Sequence, residues 1–329
     1  MWGAPPERDT GAGLSNGLYT QLRPGPPLDG VLYADPSAFA ALLEITGPVP
    51  VPTTGVTLTA DNAEDFLTKG QFAALPESSH AIDQVIRSTL NTFTSKKLPA
   101  PRVLGRVLAP VVDEGRLQFA SLHERDRPLL DRLGLSGSVA RHGEDDLLAV
   151  VNRNANPSKI DAYLRRDVRY DVRWNPATGQ TTARVTVRLT NDLPAGPLPD
   201  VVTQAPGGVP PGTNRTQLSV LSPLTVHAAA VDGERAGVGT QQEYAGVLRH
   251  SMLVDVPAGA TREVTFDLEG PLAIGRYELQ WYGQPLVDRG HVRIRIQQVG
   301  PELPPGVRPV TRVFPADEDH TVRVVASPV

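Results

Sequence analysis

From Ser158 onward the chain follows a period of two. Ile160, Ala162, Leu164, Val168, Tyr170, Val172 and Trp174 take one parity, while Lys159, Asp161, Tyr163, Arg165, Asp167, Arg169, Asp171 and Arg173 take the other. Side chains alternate faces along a strand, so this pattern demands a strand with one buried face and one wet face. Arg166 alone interrupts the apolar parity. An unbroken strand from Ser158 to Trp174 would run about 50 Å at ~3.3 Å per residue, beyond the usual strand length. A bend or bulge near Arg166 is therefore predicted. The turn Asn175-Pro176-Ala177-Thr178-Gly179 then leads into Ala183, Val185, Val187 and Leu189, which completes a hairpin signal.

Further short strands follow around Leu218–Val220, Val226–Val231, Met252–Val256, Val264–Leu268, Tyr277–Trp281 and Val292–Ile296. Seven or eight strands at this spacing, with turn signals between them and no helical period, predict an immunoglobulin-like β-sandwich over residues 158–300. Residues 301–329 read as a Pro-rich and acidic tail with one further strand at Val322–Val325.

Before Ser158 the pattern is mixed. Val31–Ala34 is a short strand, and Asp35-Pro36 is an N-cap followed by Pro at the first helical position. That helix turns Phe39, Leu42 and Leu43 inward and stops at Gly47-Pro48. Val49 and Val51, flanked by prolines, suggest an edge strand, and Thr59 is placed to cap a short helix. Longer helices are predicted over about 77–94 and 101–113, and another over 123–133. The run Leu147-Leu148-Ala149-Val150-Val151 is a strand with both faces covered. These elements predict an α/β domain over residues 29–157, and residues 1–28, rich in Gly and Pro, an irregular leader.

Composition excludes more than it selects. There is no cysteine, hence no disulfide, thiolate site or Cys nucleophile. The net charge of −4 gives no global footprint for nucleic acid. No apolar run approaches the ~20 residues of a membrane helix. Only four lysines, Lys69, Lys96, Lys97 and Lys159, stand among the basic residues. The seven histidines show no local pair of the kind a zinc site uses, so no metal or cofactor is expected. Gly134-Leu135-Ser136-Gly137-Ser138 is not a nucleophile elbow, because its second glycine falls one residue early.

Several stretches together resemble a family of bacterial envelope proteins, the domain-of-unknown-function-4012 proteins. They are Asp29-Gly30-Val31 with Asp35-Pro36, Thr46-Gly47-Pro48-Val49, Leu58-Thr59-Ala60-Asp61-Asn62 and Gly115-Arg116-Leu117. The hinge from Asn154 through Lys159-Ile160-Asp161 to Tyr163-Leu164-Arg165-Arg166, and Leu189-Thr190-Asn191, complete the set. The resemblance implies an extracytoplasmic, envelope-associated protein. Family members carry a membrane helix and a segment with Asn-Asn-Ala-Glu and Thr-Gly-Gly motifs before the Asp-Gly. Residues 1–28 hold neither, so the expectation is a truncated form or one that has lost its anchor.

The first domain is also similar, more distantly, to the core of the LytR-CpsA-Psr phosphotransferases, whose long helix opens with arginines that grip a lipid pyrophosphate. The corresponding stretch here is Glu77-Ser78-Ser79-His80, with Arg87 further on. Cations stabilise a transferring phosphoryl group, so their absence argues against that chemistry.

The functional expectation is a non-catalytic binding or scaffolding protein near cell-wall glycopolymers, its partner a glycopolymer or another envelope protein. The rival is a phosphotransferase-like enzyme using Arg87, Arg102 or Arg106 with Asp126. A third reading is a purely structural interaction module. Lys159, Asp161 and Arg165 are the polar candidates at the hinge, and Lys159 with Asp161 is expected to pin the crossing between domains.

Overall fold

A computed structural model describes residues 17, 19, 21, 26–75, 80–136, 143–242 and 247–327. Most of the expected leader, the Glu77–Ser79 stretch and the Gly137-Ser138 turn lie outside the described residues. The chain divides into two compact units, Met1–Val139 and Ala140–Val329.

The first unit runs β1 (Gly30–Ala34), α1 (Pro36–Thr46), β2 (Val49–Pro50), β3 (Thr57–Leu58) and α2 (Ala63–Asp65). A π turn, Phe66–Gly70, carries α2 into α3 (Gln71–Ala74). Then come α4 (Ala81–Ser95), α5 (Pro101–Asp113), β4 (Leu117–Ser121) and α6 (Arg127–Arg132). Asp35 caps α1 as expected, its Oδ1 accepting from Ala38 N at 2.9 Å. The side chain holding the next turn is Asn62, not Thr59: its Oδ1 accepts from Thr59 N at 2.8 Å and its Nδ2 donates to Thr57 O at 3.0 Å. Phe39 and Leu43 of α1 pack with Val49, Val51, Leu58, Phe66 and Val85. On its other side Ala38 meets Val111 and Leu117.

Arg116 is buried at the start of β4, its Nη1 2.8 Å from Asp35 Oδ2 and its Nε 2.6 Å from Glu114 Oε2. One cap carboxylate thus serves both a helix N-terminus and a buried guanidinium. Two of the stretches that carry the family resemblance meet there. Among the described residues β1 pairs only with β4, and β2 only with β3. The sheet content expected of this domain is therefore smaller than the sequence pattern implied.

The missing strand is in the second unit. β5 (Asp146–Asn154), expected to close the first domain, is a central strand of a six-stranded sheet. The unit continues through β6 (Leu164–Trp174), β7 (Gln180–Asn191), α7 (Asp200–Thr203), β8 (Asn214–Ser222), β9 (Thr225–Val231) and β10 (Glu234–Arg235). Next come β11 (Gly239–Gln242), β12 (Leu248–Val256), β13 (Thr261–Pro271), β14 (Arg276–Tyr282), β15 (His291–Gln298), β16 (Val310–Pro315) and β17 (His320–Val325).

One sheet has the order β10-β9-β13-β7-β6-β15-β16 and the other β11-β12-β8-β5-β14-β17. Their inner faces share one core, in which Tyr170, Trp174 and Phe266 of one sheet meet Leu218, Leu279 and Trp281 of the other. The expected tail contributes a strand to each sheet, β16 and β17, where only one was foreseen.

Two pairings are parallel, β5 with β14 and β6 with β15. The connections that follow β5 and β14, residues 155–163 and 283–290, therefore cross between the sheets at the same end. The expected bulge at Arg166 is absent. β6 pairs with β7 in unbroken register from Leu164 to Trp174. The break comes earlier, at a 3-10 turn over Ile160–Tyr163. This leaves a strand of 11 residues, about 36 Å long. Arg166 keeps its inward parity and is buried.

Gly290 has a φ of 54°, and a Cβ there would lie 1.9 Å from the Arg166 carbonyl oxygen. Gly259 has a similar φ of 70° but open space around it. Gly259→Ala is expected to cost about 1 kcal/mol from backbone strain alone. Gly290→Ala should cost well over ~2 kcal/mol, because a main-chain clash is added. Equal losses in urea denaturation would contradict this packing.

Candidate functional site

The second unit holds two polar clusters buried against its apolar core, one toward each end of β5 and β6. Neither was singled out from sequence.

At the end where the chain crosses between sheets, Arg166 Nη1 donates to Val150 O at 2.6 Å, Asn152 Oδ1 at 3.0 Å and Gln284 Oε1 at 2.8 Å. Gln284 in turn pairs with the backbone of Asn152. Its Oε1 accepts from Asn152 N and its Nε2 donates to Asn152 O, both at 2.8 Å. A side chain thus extends the β5–β14 ladder past the point where β14 ends. Asp317 is fully buried nearby, with Arg289 Nε 3.6 Å from its Oδ2. Burial pushes the Arg166 guanidinium down to about 10, and the charge of Asp317 opposes that shift. Arg166 therefore stays charged at neutral pH. Gly283 makes room, since a Cβ there would lie 2.4 Å from the Asp317 carbonyl carbon.

At the opposite end Asp146, the first residue of β5, is buried between two tyrosines. Tyr170 OH donates to its Oδ2 at 2.8 Å, and Tyr277 OH donates to the same oxygen. Trp174 packs on Tyr277 with ring centroids 5.8 Å apart, and its Nε1 donates to Ala273 O at 3.0 Å. Burial raises the Asp146 carboxyl to about 6, against the lowering effect of the tyrosine hydrogen bonds. Both tyrosines are pushed well above their ordinary range by burial and by the adjacent carboxylate.

The hinge residues build backbone supports. Asn154 Nδ2 donates to Ser158 O at 2.7 Å, and Asn154 Oδ1 accepts from Asn156 N at 2.8 Å. Asn156 Oδ1 accepts from Arg215 N at 2.6 Å, and its Nδ2 donates to Thr213 O at 2.9 Å. Asp161 Oδ1 accepts from Asn214 Nδ2 at 2.8 Å; burial raises its carboxyl, while this bond and the charge of Lys159 lower it. The Lys159 side chain is exposed, and its backbone N donates to Val201 O at 2.8 Å. Arg165 is exposed and pairs with Asp192 at 3.6 Å. Asp161 thus ties the hinge down within the second unit, where both sides of the crossing lie.

The rival catalytic set lies in the first unit. Arg87 is exposed on α4, and Arg102 and Arg106 are exposed one turn apart on α5. Asp126 Oδ2 accepts from Ser121 Oγ at 2.7 Å, and its Oδ1 is 3.7 Å from Arg125 Nε. No contact among the described residues joins Asp126 to Arg87, Arg102 or Arg106. No three His, Asp or Glu side chains among the described residues converge as metal ligands. A surface cavity of about 280 Å³ opens between the 175–178 turn, residues 299–303 and residues 326–327. Pro176, Ala177, Val299, Pro301, Leu303 and Ala326 make its wall largely apolar, with Glu302 its one carboxylate.

Arg166 was detectable as the one charged residue on an apolar parity. Asp146 opens an apolar run, but its tyrosine partners stand far off in sequence and gave no local signal.

The asparagine exchange Asp146→Asn isolates one titration. A carboxyl raised from 3.8 to about 6 in the fold contributes stability that is fully present below pH ~4 and is lost as pH rises through 6. Relative to Asp146→Asn, the native protein should lose on the order of 3 kcal/mol between pH 4 and 7 in urea denaturation. Parallel stability curves would refute it. Arg166→Met, which removes the donor to Val150 O, Asn152 Oδ1 and Gln284 Oε1, should destabilise by roughly 3 kcal/mol, with Arg166→Lys recovering only part. A thermal melt as stable as the native one would count against the cluster.

Comparison with known proteins adds a family. The model of the family described as "Protein of unknown function (DUF4012)" matches residues 4–72, reaching into the stretch read as a leader. The match supports the resemblance to that family and lends nothing to the LytR-CpsA-Psr likeness. No curated protein sequence matches the chain at significance. Among solved structures, a protein described as nutrient-binding from Legionella pneumophila is similar at 9% identity and a TM-score of 0.29, over 46% of this chain and 54% of that one. An M1 zinc metallopeptidase from Deinococcus radiodurans is similar at 12% identity and a TM-score of 0.27, over 48% and 42%. The chain thus spans about half the length of the solved structures it matches, at likenesses too low to argue from.

Proposed function

We propose, from the premise that this chain is of the domain-of-unknown-function-4012 family, that it is a non-catalytic component of the bacterial cell envelope. On this reading it lies outside the cytoplasm and binds or scaffolds near cell-wall glycopolymers. Its second unit serves as an immunoglobulin-like sandwich for that binding.

The observation that carries the reading is where the family-like stretches fall. Asp35 and Arg116 bind each other. Asn154 and Asn156 hold loop backbone. Asn191 Nδ2 donates to Gly212 O and Val256 O, both at 2.9 Å. These residues build a frame, not an open reaction pocket, and such a frame suits a protein whose task is to present surfaces. Outer-face charges also pair with their own neighbours, as Arg184 does with Asp267 at 2.6 Å.

Titration calorimetry of the full chain with wall-glycopolymer fragments should give saturable binding with no turnover. Mg²⁺-dependent cleavage of a polyprenyl-pyrophosphate substrate, abolished by Arg102→Ala with Arg106→Ala, would replace this proposal with the phosphotransferase one.

A further inference from the structure

We infer that the α4–α5 segment of the first unit is a docking surface for anionic lipid. In a chain of net charge −4, residues 84–112 contain no Asp or Glu, yet they carry Arg87, Lys96, Lys97, Arg102 and Arg106. All five are exposed, and none enters an ion pair among the described residues. The cations are concentrated where α4 ends and α5 begins. Two lysines sit in the connection, and two arginines lie one turn apart on the same side of α5. Lys96 Nζ donates to Thr46 O at 3.1 Å, which ties the connection to the end of α1. The global charge balance hides this local excess.

Two apolar side chains decide the kind of partner. Leu98 is 41% exposed in the middle of the cations, and Val103 is 36% exposed between the two arginines. A dissolved polyanion has nothing to offer them. A lipid surface takes the cations at its headgroups and the apolar tips below, the division of labour of peripheral membrane binders. Each cation near an anionic surface raises partitioning about 5-fold, and salt weakens that attraction. The inference concerns the first unit alone and does not rest on the glycopolymer reading.

Vesicle flotation of the full chain tests it, with phosphatidylcholine vesicles against the same lipid mixed with phosphatidylglycerol. Binding should be at least about 10-fold stronger to the anionic vesicles and should fall with added salt. The combined variant Lys97→Glu, Arg102→Glu, Arg106→Glu should abolish it. Arg169→Glu, Arg293→Glu, Arg312→Glu, the same charge change on exposed positions of the second unit, should leave it intact. Leu98→Ser should weaken it several-fold. Circular dichroism checks that each variant is folded, and the salt series and Leu98→Ser decide the matter if a triple variant is not. No preference for anionic vesicles, or an equal loss in both triple variants, would overturn the inference. So would binding to dissolved dextran sulfate that is as tight as to vesicles and indifferent to Leu98→Ser.

Discussion

A positive charge sealed between two sheets is the constraint on which the second unit depends. Taking a guanidinium out of water costs several kcal/mol, and only good geometry with matched acceptors offsets it. Arg166 rises from β6 and finds its acceptors on β5 and just beyond β14, in the opposite sheet. The bonds lie beside the crossings 155–163 and 283–290 and join one sheet to the other. The same cluster that costs desolvation therefore fixes how the two sheets align, which a purely apolar interface specifies less sharply. Gly283 and Gly290 belong to this arrangement, since a side chain at either would strike the main chain of Asp317 or Arg166.

Asp146 with Tyr170 and Tyr277 does the same work at the other end, but with a different response to pH. Arg166 keeps its charge through the physiological range, whereas Asp146 gains a proton near 6. Arg166 thus does not respond to mild acid, whereas the Asp146 cluster is stabilised by it. Mainly apolar side chains lie between them, so the two clusters bracket the register of the two sheets.

Much of the organisation was legible locally. The Asp35 cap, the stop at Gly47-Pro48 and the helix over Pro101–Asp113 follow from capping rules and a 3.6-residue period, and the structure has them. The hairpin of β6 and β7 follows from a period of two with a turn between. The assignment of β5 to the first domain failed because an apolar strand covered on both faces looks the same in any central position. The expected bulge at Arg166 is absent for a related reason: a charge on an apolar parity reads as a break in the strand, whereas its partners lie across the core. The hinge candidates Asp161 and Lys159 lie in the crossing within the second unit, and what Asp161 binds is Asn214, 53 residues away.

By itself the sequence determined which residues face inward, where helices begin and end, and that a β-rich unit follows a mixed one. Those properties depend on neighbours within a few positions, through backbone geometry and side-chain parity. Only the tertiary structure decided which strands adjoin, which unit owns Asp146–Asn154, and that Arg166, Asp146, Tyr277 and Asp317 lie buried with partners at hydrogen-bonding or ion-pairing range. Such contacts are set by which strands pair and which faces meet, over separations from 14 to 131 residues, and no local pattern records which carbonyl across the core will lie 2.6 Å from a given arginine.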